Sequence, residues 1–243
     1  TNGIISTKNA ILSHFKVDGT LASEVGGAHD FVDSFFCGDI SSSTIEHITV
    51  ENMNGWAFKA NINAGSAKHF TFSNNRISST TGTFSGGSGI ASSTILNNVV
   101  IDGGGIIGGP GAIISGNTMI DSSFLEAYEY SIISNNTMHR SGTLQPLGDN
   151  VVINGNSIYG TTAYSINGSS NANISITNNQ ITAGLDEAIV VNGPGALISG
   201  NSITEHLGGG IYLFSNAAST TIVGNYLFNP GDCNCCESGI SVN

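Results

Sequence analysis

Asp102, Asp121 and Arg140 follow one another at equal intervals of nineteen residues, and His139 and Tyr159 stand twenty residues apart beside them. In a chain that returns to the same place once per interval, these side chains share one column. Two carboxylates with a cation beside them can run acid and base chemistry on a sugar linkage, or draw a proton from the carbon next to a uronate. The plainer reading is a surface pair in which Arg140 relieves like-charge stacking and nothing is catalysed. Either reading requires elements that repeat at this spacing.

Such elements are present. An Asn recurs at positions 75, 98, 117, 136, 156, 179, 201 and 225, at intervals of 23, 19, 19, 20, 23, 22 and 24 residues. A period near twenty residues implies a solenoid. Three positions before each Asn stands an apolar residue (Phe72, Ile95, Ile114, Ile133, Ile153, Ile176, Ile198, Ile222), and two after it another (Ile77, Val100, Met119, Met138, Ile158, Ile181, Ile203, Leu227). This alternation predicts short strands with one side turned inward. A second strand motif follows in most coils: GIAS at 89–92, YSING at 164–168, AIVVN at 188–192 and GIYLF at 210–214. Coils of about 4.8 Å rise put equivalent side chains directly over one another. Asn75, Asn98, Asn117, Asn136, Asn156, Asn179, Asn201 and Asn225 are therefore expected to form an internal ladder, each amide bonding the next. The candidate chemical column lies four positions after each ladder Asn: Ser79, Asp102, Asp121, Arg140, Gly160, Ala183, Glu205 and Asn229.

The phrase I-S-G-N-x-I, seen as ISGNTM at 114–119 and ISGNSI at 198–203, resembles the repeat of the pectate-lyase-like right-handed parallel β-helix superfamily, over roughly residues 44–243. The resemblance implies an all-β, single-domain solenoid across 1–243 of about nine or ten coils, with 1–43 a less regular lead-in where FKVDGT at 15–20 forms an early strand and turn. It does not imply one activity, because the fold carries lyases, glycosidases, epimerases, phage tailspikes, adhesins and structural proteins. The calcium-binding acids and the Arg or Lys base of its lyases have no matching local motif here, nor do the aspartates of its glycosidases. Lys8, Lys16, Lys59 and Lys68 all fall in the first third of the chain.

Six Lys plus Arg against seventeen Asp plus Glu, a net charge of -11, exclude a nucleic-acid partner and disfavour a polyanionic sugar chain. No apolar run is long enough for a membrane helix, so membrane insertion is not expected. The chain starts at Thr1, which fits a mature secreted protein or a trimmed fragment. Oxygen donors for calcium are available at Asp186-Glu187, Glu126, Glu129 and Asp149, with solvated turn acids as the alternative. No other cofactor is expected. His47 and His69 fall on adjacent early coils. GGGIIGGPGA at 103–112 lacks the G-K-[ST] of a phosphate loop and reads as coil wall where backbones approach closely. Sequons stand at Asn135, Asn167 and Asn173.

Cys37 stands alone, whereas Cys233, Cys235 and Cys236 crowd the CNCC stretch; a strained vicinal bridge is disfavoured, which leaves bridges between molecules or, as the alternative, a metal site. The chain both begins (TNGIISTKN) and finishes (ESGISVN) in strand-like form, and unpaired solenoid edges invite further subunits. In physical character this is similar to the disulfide-hardened sheath proteins of methanogenic archaea. Two functions are therefore expected. The first is an extracellular structural protein that polymerises with copies of itself into a sheath, tube or filament of a cell surface. The alternative is a secreted or phage-borne polysaccharide lyase or glycoside hydrolase using the Asp102, Asp121, Arg140, His139 and Tyr159 column.

Overall fold

The computed structural model describes residues 9–18, 42–59, 67–85, 90–228 and 239–242. All regular elements among them are β-strands, and equivalent strands of successive coils pair in parallel. One coil shows the plan. Its strands are Ile113–Ser115, Thr118–Ile120 and Leu125–Ala127. Ile114, Met119, Leu125 and Ala127 point inward and are fully buried, while Ile113, Ser115, Thr118, Ile120 and Glu126 face out. The strands are three residues long because three corners must fit into about twenty residues.

The corners explain the repeated phrase. Gly116, Asp121 and Tyr130 have φ of 68°, 51° and 61°, and the corresponding corners of the next coil, Asn135, Arg140 and Asn150, have 54°, 48° and 58°. A left-handed corner suits Gly, Asn and Asp, and costs other residues about 1 kcal/mol. The Gly or Asn before each ladder Asn is such a corner, and the residue after every corner turns into the core.

The ladder forms along its whole predicted length. Asn98 donates from both its backbone N and its Nδ2 to Asn117 Oδ1, each at 2.9 Å, and Asn117 Nδ2 donates to the Ile95 carbonyl at 3.0 Å. The same bonds run from Asn75 to Asn225. At the preceding coil the position is Ile48, whose N–H donates to Asn75 Oδ1 at 3.1 Å.

The sheet of first strands contains ten, from Ile11–Ser13 to Thr221–Val223. Only the last seven of these coils have three separate strands among the described residues. In two earlier coils the second and third strands are fused, as Thr49–Lys59 and Arg76–Ser85. The expected nine or ten coils are thus seven regular ones preceded by three less regular ones. The GIAS motif is also corrected: Ile90–Ala91 pairs with Ala67–Lys68 in a separate two-stranded sheet, and the third strand of that coil is the Phe84-Ser85 end of the long strand, which pairs with Ile106 and Ile107. Within GGGIIGGPGA it is side chains rather than backbones that crowd the glycines: a Cβ on Gly105 would lie 2.1 Å from the Phe124 ring. FKVDGT supplies the strand Lys16–Asp18.

Candidate functional site

The column four positions after the ladder is the second corner of each coil. Ser79, Asp102, Asp121, Arg140, Ala183 and Glu205 all have φ between 47° and 57°, and Gly160 has 69°. Tolerance of this conformation is itself a reason for Asp to recur at 102 and 121. Asn229 lies outside the described residues. Arg140 grips Asp121 bidentately, with Nε to Oδ1 at 2.8 Å and Nη2 to Oδ2 at 2.7 Å. The guanidinium hydrogen bond holds the Asp121 carboxyl below the usual carboxylate range. Nη1 lies 3.0 Å from His139 Nδ1, which must accept because a guanidinium only donates, so the His139 proton sits on Nε2. The His139 ring stacks on Tyr159, with centroids 4.9 Å apart. Asp121, Arg140, His139 and Tyr159 therefore form one exposed network, whereas the Asp102 carboxylate has no bond to it. An ionised, Arg-locked carboxylate is poorly placed to give or take protons near neutral pH.

Other residues singled out in the sequence are not gathered. His47 and His69 occupy different corners, and His47 stacks on His14 with ring centroids 5.1 Å apart. Asp149 Oδ1 accepts the Ala172 N–H at 2.7 Å. Glu126 faces out from its strand, and partial burial raises its carboxyl above the ordinary glutamate range. Among the described residues no three His, Cys, Asp or Glu side chains come together as a metal site. Cys37, Cys233, Cys235 and Cys236 lie outside the described residues.

A different group is assembled before the third strands. Ile166, Ile189 and Ile211 are register partners on three successive coils, so Tyr164 and Glu187, each two residues upstream, fall on one column. Asp186 and Glu187 are bonded through their side chains, and Asp186 Oδ1 also accepts the Glu187 N–H at 3.1 Å. Partial burial, followed by the Asp186 contact, pushes the Glu187 carboxyl up to about 7. Tyr164 lies within the field of both acids and of Tyr212, and burial raises its phenol above the ordinary range. All four side chains are half-buried. The next coil passes this point as Gly208-Gly209-Gly210; a Cβ on Gly208 would lie 2.5 Å from the Asp186 carbonyl carbon, so only a bare backbone can lie over the acids. Chemically, the Glu187 carboxyl beside Asp186 is poised to give or take a proton near neutral pH. The sequence reading saw Asp186-Glu187 only as oxygen donors. Aligning the third strands on their inward Ile would have brought Tyr164 to Glu187.

Fold and ladder together define a right-handed parallel β-helix. A family model described as "Right handed beta helix region" matches residues 92–227, and the chain belongs to that family. Among solved structures, the A-modules of the Azotobacter vinelandii mannuronan C-5 epimerases AlgE6 and AlgE4 are similar, each with a TM-score of 0.61, at 13% and 11% identity. The alignments cover 86% and 85% of this chain and 68% and 74% of those modules. DFA-IIIase from Arthrobacter chlorophenolicus A6 has a TM-score of 0.53 and 13% identity, over 95% of this chain and 65% of that one. At these identities the likeness is one of fold. A comparison with curated protein sequences finds no match.

Proposed function

We propose that the protein acts on a polysaccharide outside the cell, as a hydrolase or lyase whose working acid is the Asp186-Glu187 pair. The observation that carries this reading is the half-buried Glu187 carboxyl, raised to about 7 against Asp186, with Tyr164 on the same column one coil earlier. Tyr rings offer apolar faces with a polar tip, which suits sugar rings. The epimerase modules of the same fold are named for a polysaccharide, mannuronan. The net charge of -11 favours a neutral polymer over an anionic one. Carboxyls bonded to each other are too close to flank a glycosidic bond, which takes a separation of roughly 5 to 10 Å. The pair therefore serves as a single acid, and Tyr164, on the same column one coil earlier, takes the opposite role. The test is release of reducing or unsaturated ends from a panel of neutral and acidic polysaccharides. Glu187→Gln should abolish it and Asp121→Asn should not; a fully active Glu187→Gln protein, or loss with Asp121→Asn alone, moves the site elsewhere.

A second reading is a cell-surface structural protein that assembles with copies of itself. It is favoured by inward-facing positions of the last described coil, Ile240 and Val242, which are 44% and 74% exposed, with Tyr226 and Phe228 bare beside them. Such positions suit a further β-layer, from this chain or from another copy. Filaments in the electron microscope and reductant-sensitive oligomers on a denaturing gel would support it; reductant-insensitive monomers without filaments would dismiss it.

A further inference from the structure

The residue that follows the second corner turns inward, making a column of Thr80, Gly103, Ser122, Ser141, Thr161, Gly184 and His206 beside the Asn ladder. Ser122 and Ser141 show what this position ordinarily needs. Each hydroxyl donates to a backbone carbonyl of the preceding coil, Val100 at 3.4 Å and Met119 at 3.3 Å. A histidine is far larger than that task requires. His206 is nonetheless fully buried, and it fits because the coil beneath has no side chain: a Cβ on Gly184 would lie 2.1 Å from the imidazole Cε1.

The ring's bonds fix its protonation. Nδ1 lies 2.9 Å from the Asp186 carbonyl oxygen, which only accepts, so the proton is on Nδ1. Nε2 is then an acceptor, and Ser165 Oγ stands 3.4 Å from it, with Thr161 Oγ1 2.7 Å beyond. This chain of three side chains crosses three coils and ends on the backbone of the first member of the acid pair. We propose that His206 is a positioning residue for that pair: its Nδ1–H holds the Asp186 carbonyl and so sets the turn from which the Asp186 and Glu187 side chains project together. The inference rests on reading the pair as the working acid, but its central contact can be measured without any substrate.

The experiment follows the Glu187 carboxyl carbon by NMR titration, assigned with Glu187→Gln, in wild type, His206→Asn and His206→Leu. The Asn amide can donate from the place of Nδ1, whereas Leu fills space without donating. Wild type and His206→Asn should titrate near 7. His206→Leu, folded by circular dichroism, should titrate lower, toward an ordinary glutamate. An unchanged midpoint in folded His206→Leu overturns the proposal. Where that variant does not fold, the nitrogen spectrum of wild-type His206 decides: a proton on Nδ1 supports the proposal and one on Nε2 overturns it. Loss of sugar release in Glu187→Gln with a His206-independent titration leaves the acid standing and removes the histidine. An inactive wild type with a His206-dependent titration removes the activity and leaves the positioning.

Discussion

Replacing Asn117 by Leu keeps the size of a fully buried side chain and removes every hydrogen bond it makes. Two groups lose this partner with no side-chain substitute, the Asn98 backbone N–H, given to Asn117 Oδ1, and the Ile95 carbonyl, which accepts from Asn117 Nδ2, whereas Asn98 Nδ2 keeps the Phe72 carbonyl and the Ser115 carbonyl keeps the Asn97 N–H. Asn136 Oδ1 keeps the Asn117 backbone N–H. At about 1–3 kcal/mol for each stranded buried group, the sum is roughly 2–6 kcal/mol. Burial of the extra apolar surface offsets about 1–2 kcal/mol of this. Mid-range values of about 4 and about 1.5 kcal/mol leave a net loss of roughly 2–3 kcal/mol, a large share of the ~5–15 kcal/mol that stabilises an ordinary domain. A solenoid need not unfold in one step, so a local readout is the better assay. Hydrogen exchange at the Asn98 amide should accelerate by at least about thirtyfold, since each 1.4 kcal/mol is tenfold. Thr118→Val, on the outer face of the same coil, is the control and should leave that amide unchanged. Protection of Asn98 equal to wild type in Asn117→Leu would show that packing alone holds the coils.

Glycine substitutions should separate crowding from conformation. A Cβ on Gly142 would sit 1.6 Å from the Ser123 carbonyl oxygen, so Gly142→Ala should yield little soluble protein, whereas Gly224→Ala, with φ of 64° and nothing within 4 Å, should cost only about 1 kcal/mol in urea titration. Because the Glu187 carboxyl binds its proton more tightly when folded, its contribution to stability is greatest below its ordinary value of 4.5 and is lost as pH rises to about 7; the melting temperature of wild type relative to Glu187→Gln should therefore fall across that window. His206 has the opposite sign, since burial lowers its affinity for a proton. Packed against Asp186 on the coil below, it opposes the Glu187 effect where the two windows overlap, and the melting temperature of wild type relative to His206→Asn should fall as pH drops below 6.5. Asp121, held low by Arg140, contributes stability that is lost as pH falls below 3.8, and Asp121→Asn should remove this acid limb.

The ladder and the inward Ile positions were legible because both keep a fixed distance from one Asn, whatever the length of the coil. The third strand was harder. The stretch between second and third strands runs from Arg140 to Thr143 in one coil and from Gly160 to Ser165 in the next, so no constant offset leads to it. The fused strand Arg76–Ser85 misled for the same reason, placing a third strand where no turn residue announces it. The column read for chemistry was a true column, but its residue types answer partly to a left-handed backbone that no pattern of hydrophobicity reveals. The neighbouring position held His206, and its meaning required knowing that Gly184 lies beneath. The acid pair was visible as two letters. Tyr164 belongs to another coil and is brought to it by parallel register alone.

The Asn ladder also gives the molecule a sign. Across every coil boundary from Asn75 to Asn225, the earlier coil contributes two donors to a single Oδ1 of the later one and receives one donor on a strand carbonyl. The eight amides therefore point the same way, and in a buried column each polarises the next. A break at any boundary leaves unlike faces, donor-rich on the earlier side and acceptor-rich on the later one. Two severed halves could rejoin in only one sense, and a misregistered coil would meet the ladder with its amide reversed. The polarity of the ladder thus acts as a check on direction that the apolar core, indifferent to which coil lies above and which below, does not supply.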